Sequence, residues 1–99
     1  MIIEERIYTL QISALNKYRK LYRSEGLEVQ TSILGNLIGY YSTDIGEQNQ
    51  VVHLCGYENY QDREARRDAF FQHPDWLNYI QKAAPLIVRQ ENKILKPLL

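Results

Sequence analysis

The chain is predicted to be an α+β domain of ferredoxin-like βαββαβ order, a four-stranded antiparallel sheet with its helices on one face. Three observations lead there. Segments of period-2 alternation open and close the sequence and flank a central turn. Segments of helical spacing separate them, giving strand, helix, hairpin, helix pair, strand, an order that closes most economically as a split βαβ motif. The strands also carry apolar residues on both parities, so the helix-free face is expected to be covered by a second copy, making a dimeric α+β barrel.

In the first strand, Ile2 to Leu10, Ile3, Ile7 and Thr9 share one parity and Arg6, Tyr8 and Leu10 the other. Ser13 stands where a helix N-cap is expected. Leu15, Tyr18, Tyr22, Val29 and Ile33 then recur at helical steps, with Lys17, Arg19, Lys20 and Arg23 mostly opposite. Gly26 predicts a bend or break, and Gly35 suits the position just past the helix end. Two strands rich in aromatic and β-branched residues, Gly39 to Tyr57, fold back around a polar turn centred on Gly46. Turn chemistry leaves the register open: His53 shares a face with Tyr40 in one pairing and with Tyr41 in the other. Val51, His53, Cys55 and Tyr57 point one way in either case.

Asn59 opens a helix running to about Gln72, dense in charge, with Asp62 and Arg66 placed as an i,i+4 pair and a thin apolar stripe of Tyr60, Ala65, Ala69, Phe70 and Phe71. Pro74 suits the first turn of another helix, whose buried side is expected to be Trp76, Leu77, Tyr79, Ile80, Ala83 and Ala84, and which Pro85 stops. Leu86 to Lys96 reads as the last strand. No repeat or linker divides residues 1–99, so a single domain is expected.

Composition excludes several partners. Twelve Lys plus Arg balance twelve Asp plus Glu, so no net field favours nucleic acid or an anionic membrane. No apolar run approaches the ~20 residues of a membrane span. The start, Met1-Ile2-Ile3-Glu4-Glu5-Arg6, lacks the basic and apolar regions of an export signal. Cys55 is the sole cysteine, which precludes an internal disulfide and suits a reducing cytoplasm. Two histidines twenty residues apart and one cysteine give no metal-ligand spacing, and there is no glycine-rich phosphate loop. No cofactor is expected.

The run Ile38-Gly39-Tyr40-Tyr41-Ser42-Thr43-Asp44-Ile45-Gly46, followed by Asn49-Gln50-Val51-Val52-His53-Leu54, resembles the NIPSNAP family. So do Arg6-Ile7-Tyr8-Thr9-Leu10, Glu25-Gly26-Leu27, Asp75-Trp76 and the run Gln90 to Pro97, in that joint order across nearly the whole chain. The resemblance implies the dimeric α+β barrel that the periodicity suggests on its own. It implies little chemistry, since members are mostly known by fold and by loose links to trafficking or mitochondrial biology. Small cofactor-free monooxygenases and haem-degrading enzymes of that barrel type are kin by fold analogy alone.

His53 is the candidate catalytic residue, an imidazole on a strand that can act as general base or neutral donor. Its structural reading is a buried histidine satisfied by a tyrosine or carboxylate. Tyr8, Tyr40, Tyr41 and Trp76 are candidate ligand-binding aromatics, each with a core role as the competing reading. Arg6 and Arg67 are candidate clamps for a carboxylate and Glu91 a further polar contact, against salt-bridge or snorkelling roles. The expected function is small-molecule binding in a pocket between sheet and helices with His53 inside, extending to cofactor-independent oxygenation or isomerisation. A non-catalytic homodimer that recruits a protein, through the charged Asp62–Asp68 helix for instance, is the alternative. Haem bound axially by His53 or His73 follows only from barrel analogy.

Overall fold

A computed structural model describes residues 1–99. Strand β1 (Ile2–Leu10) is followed by helix α1 (Leu15–Leu21), a π-helical turn (Tyr22–Gly26) and helix α2 (Leu27–Ile33). The hairpin β2 (Leu37–Ser42) and β3 (Gln50–Tyr57) comes next, then helices α3 (Tyr60–Gln72) and α4 (Pro74–Ala83), a 3-10 turn (Ala84–Leu86) and β4 (Ile87–Leu95). The four strands form one antiparallel sheet in the order β2-β3-β1-β4. The expected α+β class and sheet are therefore present, with the helices on one face.

Register settles the question the turn left open. Tyr40 is opposite His53, so the two share the helix-covered face. Glycine at position 46 (φ 129°) and Asn49 (φ 65°) make the reversal, both residue types that tolerate positive φ. The helix-side parity of β1 and β3 is buried at Ile2, Glu4, Leu10, Val51, His53, Cys55 and Tyr57. Those residues meet Tyr18, Tyr22, Val29, Phe70, Trp76 and Tyr79 from the helices, and this contact is the core. On the other face Ile3, Ile7, Val52 and Leu54 are half-buried.

The predicted break at Gly26 is a π turn, in which the Leu27 N–H reaches the Tyr22 carbonyl. A side chain at Gly26 would press on the Tyr79 ring at 3.0 Å, so glycine there lets α4 approach. Gly35 (φ 75°) ends the helix as expected. Asn59 caps α3 by accepting the Asp62 N–H at 2.8 Å, and the Asp62–Arg66 pair closes at 2.8 Å. His73 caps α4, its Nδ1 accepting the Asp75 N–H at 3.1 Å just ahead of Pro74.

Several local expectations are corrected. Ser13 is not the N-cap: it adopts φ 68°, Ala14 takes the cap position, and no side chain caps α1. The turn after β1 puts a left-handed residue there, whereas an N-cap residue typically has extended backbone. Of the apolar stripe expected on α3 only Phe70 is buried; Leu77 on α4 and Ala84, just past its end, are exposed. Charged residues fill much of α3, and from it Arg63 and Arg67 reach the sheet rather than a broad apolar face.

Candidate ligand-binding site

The helix-facing side of β1 carries a carboxylate where an apolar residue is usual. Glu4 is wholly buried, and a buried charge persists only if paired and hydrogen-bonded. Arg63 on α3 donates to it from Nε at 3.2 Å and Nη2 at 2.9 Å, Arg6 from Nη1 at 3.0 Å, and Asn92 of β4 from Nδ2 at 2.9 Å. Arg67, one turn beyond Arg63, lies 3.7 Å away with its guanidinium over the Phe71 ring. Burial alone would push the Glu4 carboxyl up; the bonds from Arg63 and Asn92 and the charges of Arg6 and Arg67 outweigh it and hold the pKa at about 2.

His53 sits directly across from Arg6 on β3, 1 % exposed. Neither ring nitrogen has a hydrogen-bond partner, so the satisfied-histidine reading does not describe it. Burial, aided by the positive charge of Arg6, lowers its pKa to about 4, and it is neutral at pH 7. The Tyr40 ring stacks on it with centroids 4.9 Å apart and planes 22° apart.

Above Tyr40 the aromatic set continues. Tyr22 packs edge-on to it at 4.8 Å and the Tyr18 and Tyr40 hydroxyls bond to each other. The Tyr22 hydroxyl, carried by the π turn, donates to buried Gln30. Arg6 Nε donates to the Tyr8 hydroxyl at 3.0 Å, linking this cluster to Glu4. Burial pushes the phenols of Tyr18, Tyr22, Tyr40 and Tyr79 far above their ordinary value, so all four stay neutral hydrogen-bonding groups.

Between the first helix and the β2 edge an open groove of about 250 Å³ lies over these rings. Leu15, Tyr18, Arg19, Tyr22, Arg23 and Leu27 form its helix side; Tyr40, Tyr41, Ser42 and Val51 form its sheet side. It can hold an apolar body and present hydroxyls to orient it. No three histidine, cysteine or carboxylate side chains converge anywhere in the fold as donors for a metal ion. Burial raises the pKa of the Cys55 thiol, which makes it a poor nucleophile.

The predicted site residues separate into groups. Arg6, Tyr8, Tyr40, His53 and Arg67 come together on the helix side of the sheet, with Tyr41 at the groove's mouth. Trp76 does not join them: it is buried in the helix layer against Phe70 at 4.0 Å and Tyr79 at 5.1 Å. Glu91 lies opposite Ile7 on the helix-free face, 3.7 Å from Arg89. Sequence reading missed Glu4, Arg63, Asn92, Tyr18 and Tyr22 as site residues. An acid between Ile2 and Arg6 on the core-facing parity was the available signal for Glu4.

This sheet topology is that of the ferredoxin-like α+β domains. A putative antibiotic biosynthesis monooxygenase from Nitrosomonas europaea superposes with a TM-score of 0.72 over all of both chains, at 10 % identity, which is likeness of fold. The chain belongs to the NIPSNAP family, whose model matches residues 3–99. An uncharacterised NIPSNAP-like domain protein from Burkholderia xenovorans is 47 % identical, with a TM-score of 0.95 over 98 % of this chain and 84 % of that one. Protein NipSnap homolog 2 of Danio rerio is 36 % identical over 61 residues, 62 % of this chain and 21 % of the relative. The matched segment thus spans about a fifth of that relative's length. No helix is long and apolar enough to cross a membrane.

Acid should unfold the protein in two separable windows. Folding lowers the pKa of both His53 and Glu4, so the unfolded chain takes up protons that the folded chain refuses. His53 stabilisation is complete above pH 6.5 and is lost by about pH 4, a loss of roughly 3 kcal/mol. That of Glu4 is complete above pH 4.5 and fades toward pH 2. Denaturant unfolding across pH should show a flattened upper window in His53→Gln and a flattened lower one in Glu4→Gln; identical profiles for all three proteins would contradict the assignment.

Proposed function

We propose that this NIPSNAP domain binds a small apolar or aromatic molecule in the groove between the first helix and β2. The observation that carries the reading is the groove itself, about 250 Å³ floored by tyrosines. A cavity of about 150 Å³ holds a benzene ring, so this one suits a single ring with a short substituent. The cost of shaping it is already met in the fold, because the rings lining it are fixed by stacking and hydroxyl bonds.

Binding is favoured over turnover by the state of His53. A base with a pKa of about 4 is weak at neutral pH, and Tyr40 stands between it and the groove. Oxygenation or isomerisation at this site would require Tyr40 to swing aside. Thermal-shift screening with neutral single-ring compounds should give stabilising hits. Ser42→Trp, which fills the groove from an exposed position, should abolish them while leaving the unliganded melting point within about 2 °C; hits that survive the substitution would place binding elsewhere.

The helix-free face supports a second element of the reading, a homodimer. Ile3, Ile7, Val52 and Leu54 form an apolar band there, and β4 alongside it alternates Arg89, Glu91 and Lys93. An alternating charge row can meet its own two-fold image with opposite signs paired. Light scattering should give twice the 11.7 kDa chain mass, reduced to one chain by Ile7→Glu; a wild-type monomer at micromolar concentration would contradict the dimer.

A further inference from the structure

Resting on the reading of the groove as a binding site, we infer that its ligand is an anion: a small aryl or alkyl carboxylate whose acid group is held by Arg19 and Arg23 at the rim. The chain as a whole has no net charge. Yet Lys17, Arg19, Lys20 and Arg23 fall within seven residues that contain no acid. Two of these four, Arg19 and Arg23, line the groove, and they are the only charged residues that do.

Neither arginine is used by the fold. No carboxylate lies within 4.0 Å of either guanidinium, whereas Arg6, Arg63, Arg66, Arg67 and Arg89 all have one. Arg19 makes a single long side-chain hydrogen bond, 3.4 Å to Asn16 of its own helix. Both are exposed and stand four residues apart, a spacing at which like charges repel and cost a few tenths of a kcal/mol on a helix. Two such cations at the mouth of an apolar cavity form the complement of an amphipathic acid. Its apolar body would lie against Leu15, Leu27 and Val51, and its planar carboxylate would match the guanidinium fork. The low-dielectric rings beneath would strengthen the pairing relative to open surface.

Matched probes test this by isothermal titration: 4-hydroxyphenylacetate against 4-hydroxyphenylacetamide, and hexanoate against hexanamide. The acids should bind about tenfold tighter than their amides at low salt, with the preference shrinking as ionic strength rises. The Arg19→Gln/Arg23→Gln double variant should bring acid and amide to equal affinity at an unchanged melting temperature, since neither side chain holds the fold together. If wild type binds the amides as well as the acids, or the double variant keeps the preference, the anion assignment fails while the groove stands. If no probe binds, acid or amide, the groove reading and the anion assignment fall together.

Discussion

The buried carboxylate of Glu4 is the constraint on which the arrangement of the layers depends. It sits on the central strand β1 and receives donors from its own strand, from β4 and twice from α3. Replacing such a cluster by well-packed apolar groups is often neutral, but removing one partner typically costs about 3–5 kcal/mol. Helix α3 shows why the distinction matters here. Phe70 is its one buried residue, too little apolar surface to fix its position. Its arginines attach it instead: Arg63 and Arg67 to Glu4, and Arg66 to the Ile33 and Leu34 carbonyls at the end of α2. The helix is placed by charge and geometry more than by hydrophobic burial.

From that anchor the polar interior extends in one direction, through Arg6 to the Tyr8 hydroxyl and across the strand to His53 and Tyr40. Each residue restricts the next: Arg6 lowers the proton affinity of His53, His53 supports the Tyr40 ring, and Tyr40 meets Tyr18 and Tyr22 at the floor of the groove. The π turn matters because it carries Tyr22 into this stack and leaves Gly26 facing Tyr79. An inserted residue in a helix is retained at a cost, and such turns are frequent at functional sites. The groove is thus a consequence of how the first helix is wound over the β2 edge.

Local pattern sufficed for the element order, the parity within β3, the helix start at Asn59, Pro74 in the first turn of α4 and the helix end at Gly35, because those depend on local spacing and backbone conformation; the His73 side-chain cap was not read from it. Pairing between strands does not, and so the Tyr40-or-Tyr41 alternative needed the three-dimensional register. Glu4 was hidden for a related reason: beside Glu5 and Arg6 it looks like part of a solvated charge run, and only long-range contacts with Arg63 and Asn92 show it to be buried. Trp76 and Glu91 show the converse: grouped with the other candidates by the sequence, they are set apart by the fold. A surplus of aromatics and charges says that some of them line a site but not which, since α4 and the outer face of β4 draw on the same residue types for packing and solvation.

Where a small molecule lands is read most directly by ¹H–¹³C methyl NMR during titration with 4-hydroxyphenylacetate. Leu15, Leu27 and Val51 line the groove, whereas Ile3, Ile7, Val52 and Leu54 report on the opposite face of the same sheet. Shifts concentrated on the first set, with the second unmoved, are the predicted result. Shifts concentrated on the helix-free face would contradict the groove as the ligand site.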